Sequence, residues 1–254
     1  MAVALAGWGG SAVAAPIPAR IVSLNLCTDE YLLITARRAQ IASISRLGAS
    51  HHETPLAGRA AGLATNQGAL GGVIDQRPDL VLTMGASPQD MALAARLGMR
   101  MIALPYPQSP AEVTRQVQRI AGLVGNPAAG THFARQQAAL TATMPARATP
   151  ALMLGGSGLA PSMQGLTAGW LRLAGLAQRQ SGSVAIETLL ANPPPLLIIS
   201  RYRPGQFSGS QAWAAHPALA RIKARRVAAD GRAFLCGGAA MPAEIRRLRL
   251  ALAA

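Results

Sequence analysis

The residue types able to hold a metal or move a proton are few in this sequence. His51-His52-Glu53 sets two imidazoles beside a carboxylate, donors that coordinate iron or cobalt, in a stretch that otherwise reads as an exposed loop. Asp29 and Glu30 are adjacent carboxylates. Neighbours on a helix point in different directions and do not easily share a proton, so the pair reads as helix-start acids. Cys27 and Cys236 are the only cysteines. They are compatible with one disulfide in an oxidising compartment or with two separate buried thiols. No CxxC, HxxxH or Cys/His cluster occurs, so no resident metal is expected. Gly155-Gly156-Ser157-Gly158 runs into Leu159 and is not the hydrolase elbow GxSxG. It reads either as a tight turn or as a small-residue floor over which a bulky ligand approaches the backbone. GxGxxG and the P-loop are absent, and the sequence carries no catalytic set.

These residues need elements to position them. Ile21–Leu24 is β-rich and is followed by Thr28-Asp29-Glu30, where Thr28 is placed to cap a helix whose positive end the two acids complement. Further strands are expected at Ile41–Ile44, Asp79–Thr83 and Met101–Leu104, with a helical segment at Leu70–Gln76. Ser87-Pro88-Gln89-Asp90 and Ser109-Pro110-Ala111-Glu112 each set a cap before a proline and an acid, and Val113, Val117, Ile120 and Val124 then recur at helical spacing. Pro127 to Met144 has no strand signal and predicts one further helix. After it the alternation restarts, with strands at Ala151–Leu154, Leu196–Ser200, Val227 and Phe234-Leu235, and helices at Gly165–Leu173, Ile186–Ala191 and Pro242–Leu252. The expected fold class is α/β, two Rossmann-like lobes with parallel sheets joined by a single long backbone helix. The expected boundaries are a signal-like or extended N-terminus over 1–19, a first lobe over 20–125, the connecting helix over 126–148 and a second lobe over 149–254.

In such sheets ligands bind beyond the C-terminal strand ends. Tyr106 and Tyr202, each following a strand, are therefore cleft candidates. Trp170 and Trp213 fall in expected helices, where Trp170 also reads as core.

Half of the 254 residues are apolar, which excludes a disordered chain, and only 4% are aromatic, which predicts an aliphatic core. The formal net charge is +14, almost all of it arginine spread along the chain. The densest groups, Arg221/Lys223/Arg225/Arg226 and Arg246/Arg247/Arg249, lack the interleaved aromatics that stack bases, so no nucleic-acid partner is expected. Residues 1–15 are small and apolar and end in Ala12-Val13-Ala14-Ala15 before Pro16, like a signal-peptidase site, which predicts export to the periplasm.

Three stretches carry a resemblance. Arg20-Ile21-Val22-Ser23-Leu24-Asn25-Leu26-Cys27-Thr28-Asp29, Arg77-Pro78-Asp79-Leu80-Val81-Leu82, and Leu97-Gly98-Met99 with Leu104-Pro105 before a capped helix look like the first lobe of the Fe/B12-type (class III) periplasmic binding proteins of ABC importers. In the second half, Glu187 to Ile199 is similar to that family's helix-then-strand segment. The resemblance implies a monomeric receptor, not an enzyme, that holds a metal chelate between its lobes and delivers it to a membrane permease. It implies a cobalamin-type corrinoid as first choice, then a ferric siderophore or haem. The alternative is an intracellular metal-cofactor enzyme or chaperone built from the same lobes. The expected ligand contacts are Thr28, Asp29, His51, Met84, Ser87, Tyr106, Ser157, Trp170 and Tyr202, with Asn66 near the matching loops. Glu187 falls where the family's second lobe presents a permease-docking Glu, whereas the corresponding position of the first lobe is Gly71.

Overall fold

A computed structural model describes residues 16–203 and 213–253. The signal-like segment 1–15 lies outside the described residues.

The first half builds a five-stranded parallel sheet from β1 (Ile21–Ser23), β2 (Ile41–Ser45), β3 (Thr65–Asn66), β4 (Leu80–Met84) and β5 (Met101–Leu104), in the order β3-β2-β1-β4-β5. Helices α1 (Leu26–Thr35) and α2 (Pro88–Arg96) connect strands of this sheet, a 3₁₀ segment spans Leu70–Gln76, and α3 (Pro110–Leu123) follows β5. Then comes α4 (Pro127–Ala142), the helix expected between the lobes. The second half forms a parallel sheet in the order β11-β10-β6-β8, from β6 (Thr149–Leu154), β8 (Leu176–Gln178), β10 (Leu196–Arg201) and β11 (Arg225–Asp230). An antiparallel pair, β7 (Leu159–Ala160) with β9 (Gly182–Ser183), hangs from the end of β6. Helices α5 (Gly165–Leu173), α6 (Ile186–Ala191), α7 (Gly231–Cys236) and α8 (Met241–Ala253) complete the lobe.

The two serine caps form as the sequence predicts. Ser87 accepts from the amide of Asp90 and Ser109 from that of Glu112, each with proline in the first turn. Glu112 reaches back to the amide of Gln108 (2.8 Å), one residue before its cap. Helix α1 starts earlier than expected, because its cap is Asn25, whose Oδ1 accepts from the Thr28 amide. Phe234-Leu235 is helical and not a strand, since Asp230 ends β11 by capping α7 through the Arg232 amide. Trp213 sits in a turn and donates to the Val184 carbonyl (3.0 Å).

One apolar cluster runs through the whole molecule, from Ile21, Leu80 and Leu104 of the first sheet, through Val117, Ile120, Phe133 and Leu140 of α3 and α4, to Trp170, Ile198 and Ile245 of the second half. Each fully buried aliphatic side chain of this kind contributes about 1.5–3 kcal/mol. The lobes therefore share a core beneath their cleft. Two smaller clusters cover the outer sheet faces, around Val22, Leu70 and Val81 in the first lobe and Leu154, Leu189 and Leu197 in the second.

Candidate functional site

Strand order reverses between β1 and β4 in the first sheet and between β6 and β10 in the second. Such a reversal sends the two following connections to opposite faces and opens a crevice at the C-terminal strand ends. In the first lobe Asn25 ties the two sides of that crevice together. Besides capping α1, its Nδ2 donates to Thr83 Oγ1 (3.0 Å) and to the Met84 carbonyl (3.1 Å). In the second lobe the matching ends are Gly155-Gly156 and Arg201-Tyr202.

Several contacts bring these ends face to face. Cys27, at the start of α1, is bonded to Cys236, at the end of α7, with a Cα–Cα separation of 5.2 Å. Glu53 of the first lobe accepts from the Tyr202 hydroxyl and pairs with the Arg203 guanidinium of the second. Burial pushes the Tyr202 hydroxyl up, which keeps it a donor. Arg232, held by Asp230, donates to the His51 carbonyl (2.7 Å). Pro110 of α3 abuts Gly169 of α5, where any Cβ would fall 2.7 Å from the proline Cδ.

Against this frame several expected contacts move. Thr28 is fully buried and its hydroxyl is spent on Ser23 and Asn25, so it cannot meet a ligand. Asp29 is fully buried too. Its carboxylate takes the Ser45 amide (3.0 Å) and hydroxyl, anchoring the end of β2 to α1, and Gly48 is required there because a Cβ would lie 2.5 Å from Oδ2. Met84 is 3% exposed within the core. Asn66 is buried and donates to Ser43 Oγ and the Ser23 carbonyl. Ser87, the exposed cap of α2 engaged with Asp90, by contrast stays accessible just past the end of β4. Trp170 is wholly buried, with Nε1 donating to the Gly237 carbonyl (2.8 Å), and so is a core residue. Glu30, read as a helix-start acid, is buried against Gly238, with one oxygen on the Thr54 hydroxyl and the other turned toward the amides of Ala239 and Ala240.

Other expected residues stay accessible at the strand ends. Tyr106 is 65% exposed beside Gly85, and Ser157 and His51 are exposed. Sequence reasoning did not pick out the apolar residues there: Leu47 after β2, Leu159 on β7, Met163 before α5 and Leu235 on α7, all exposed. Nor did it find the bridging role of Glu53 or Arg203. Polar burial of Glu53 was legible only as a carboxylate inside His51-His52-Glu53. Glu187 is exposed in the first turn of α6, and Gly71 is exposed in the first lobe.

The burial of Asp29 and Glu30 has an electrostatic cost. Desolvation pushes the Asp29 carboxyl up to about 7 against the hydrogen bonds of Ser23, Ser45 and Gly48. It pushes Glu30 to about 7 as well, with the Asp29 charge adding to it and Thr54 and the amides of Ala240 and Ala239 opposing. Among the described residues no group of three or more His, Cys, Asp or Glu is placed to hold a metal ion. No described helix is long and apolar enough to cross a membrane.

No family model and no curated protein matches the chain. Solved structures do. The periplasmic heme-binding protein HutB of Vibrio cholerae superposes with a TM-score of 0.71 at 19% identity, covering 92% of this chain and 98% of that one. RhuT, a periplasmic heme-binding protein from Roseiflexus sp. RS-1, gives 0.68 at 18% over 91% and 97%. The periplasmic vitamin B12-binding protein BtuF of Vibrio cholerae gives 0.64 at 15% over 93% and 99%. The chain thus has, over nearly its full length, the two-lobed α/β fold of these class III periplasmic binding proteins.

Proposed function

We propose that this chain is the periplasmic substrate-binding component of an ABC importer, which captures a metal-chelate nutrient between its lobes and presents it to a permease. The observation that carries this reading is the pair of facing strand-order reversals, which open two crevices onto one cleft in a fold whose solved examples include heme- and B12-binding proteins. A disulfide fits an oxidising compartment, in keeping with the signal-like residues 1–15. The ligand is a cobalt corrinoid or a ferric chelate such as haem. Exposed Tyr106, Leu159 and Met163 offer a large apolar ligand contact at the strand ends, with Gly155-Gly156-Ser157 as the floor. The protein performs no chemistry on its cargo. Glu187 serves permease docking on the second lobe, and the first lobe docks without a Glu at Gly71.

The test is a thermal-shift screen of the purified chain against cyanocobalamin, cobinamide, haemin and ferric siderophores. A ligand that binds only the native state raises the melting temperature by mass action, by about 2.7 kcal/mol of stability at a hundredfold excess over Kd. A rise with at least one chelate is expected, and no rise with any of them contradicts the reading.

A further inference from the structure

The links between the lobes are not spread evenly around the cleft. In the first sheet β2 and β3 lie to one side of β1, and in the second β10 and β11 lie to one side of β6. The interlobe bonds gather on that shared side. Among the described residues they include the Cys27–Cys236 disulfide, which joins residues 209 apart in sequence, the contacts of Glu53 with Tyr202 and Arg203, and the donation from Arg232 to the His51 carbonyl. Thr54 ties the same loop to Glu30, which faces Gly238 beside the disulfide. On the other side, at the ends of β4 and β5 and of β6 and β7, no hydrogen bond or ion pair among the described residues crosses the cleft, and the approach of Gln108 to Gly165 is packing alone. Tyr106, Leu159 and Met163 are exposed there at 65%, 57% and 52%. Below, Pro110 against Gly169 and the continuous core close the bottom of the cleft.

We propose that the Cys27–Cys236 disulfide is a strap that fixes the lobes to each other along one edge, leaving the edge between Tyr106 and Met163 as the side on which the cleft opens and ligand enters. An ion pair can part and re-form within a binding event, whereas the covalent bond cannot, so the Glu53 cluster is held in register by the strap. The packed core below resists translation and the strap resists separation. The motion left to the lobes is a small rotation that widens the far edge. The entry of ligand rests on the receptor reading above, but the strap does not.

The experiment therefore uses ligand-free protein. A keto amino acid, spin-labelled without adding a thiol, is placed at Ala61, exposed between β2 and β3 on the strapped side of the first lobe, and at Leu235 of the second, and in another sample at Gln89 in the first turn of α2 and Ser162 just before α5, across the other side. Distance distributions are recorded before and after treatment with a water-soluble phosphine. The phosphine gives two electrons to the S–S bond and ends as its oxide, with oxygen from water, while the sulfurs end as two thiols. The strap predicts a narrow distribution for Ala61/Leu235 and a broader one for Gln89/Ser162 in the oxidised protein. Reduction should broaden the first and move it to longer distance, with circular dichroism unchanged. The double variant Cys27→Ser/Cys236→Ser should match the reduced protein. An Ala61/Leu235 distribution indifferent to reduction would overturn the proposal. So would loss of the native circular dichroism, which would show the bond holding the fold itself and not the angle between lobes. Because no ligand is present, either outcome leaves the receptor reading to be judged by the thermal-shift screen alone.

Discussion

At the scale of single residues, the two buried carboxyls of α1 make the protein's stability depend on pH in an unusual direction. Unfolded, Asp29 and Glu30 titrate near ~4; folded, burial moves both to about 7. Between those values the native state binds more protons than the unfolded chain, so their contribution is fully present below ~4, declines as pH rises, and is lost above about 7. Urea midpoints of the wild type should be higher at pH ~5.5 than at pH ~8. Glu30→Gln removes one of the two titrations and keeps the shape, so the difference between the two pH values should shrink. An unchanged difference would mean that Glu30 does not titrate in this range. Neither acid is exposed to a ligand, and the sequence could not say so, because a carboxylate at a helix start is ordinarily solvated and the burial comes from Ser45, Thr54 and Gly238, all distant in the chain.

At the scale of elements, the lobes meet where α5 lies on the first turn of α3. Gly169→Val adds side-chain atoms where even a Cβ stands 2.7 Å from Pro110, so the helices must shift. Such overpacking costs about 1–3 kcal/mol, to be read as a lower urea midpoint with little change in slope. A variant as stable as the wild type would show that this contact yields. Element by element the sequence was informative where local signals are strong. The expected bounds of Met101–Leu104, Gly165–Leu173, Ile186–Ala191 and the 3₁₀ segment Leu70–Gln76 are those observed, and both Ser-Pro caps form. It was silent on β3, β7, β8 and β9, which are two or three residues long and too short to display a period. At α7 an apolar pair was mistaken for strand because Asp230, which ends β11 and caps the helix, reads equally as a turn residue.

At the scale of the whole molecule, the fold was legible and the cleft only in part. Parallel β-α alternation and the motif stretches led to two lobes, and Tyr106, Tyr202, His51 and Ser157 stand in the segments that follow C-terminal strand ends. Which of the others would be spent internally depends on partners far apart in sequence, as with Thr28 on Ser23, Trp170 on Gly237 and Met84 in the core. Tyr106→Ala should weaken ligand binding by about tenfold, or 1.4 kcal/mol, as an exposed ring is lost from the open edge. Equal affinity would remove Tyr106 from the site. Glu187→Arg should leave affinity unchanged and reduce uptake in cells carrying the cognate permease, in a salt-sensitive way, since a rim charge acts mainly on encounter. Normal uptake would exclude Glu187 from docking. The central claim, a receptor that holds a metal chelate between its lobes, is tested most directly by equilibrium titration of the purified, oxidised chain with haemin, cyanocobalamin and a ferric siderophore, followed by absorbance and calorimetry. Saturable binding of at least one of them, at one ligand per chain, is expected. Absence of saturable binding by all three, or binding of several copies without saturation, would contradict it.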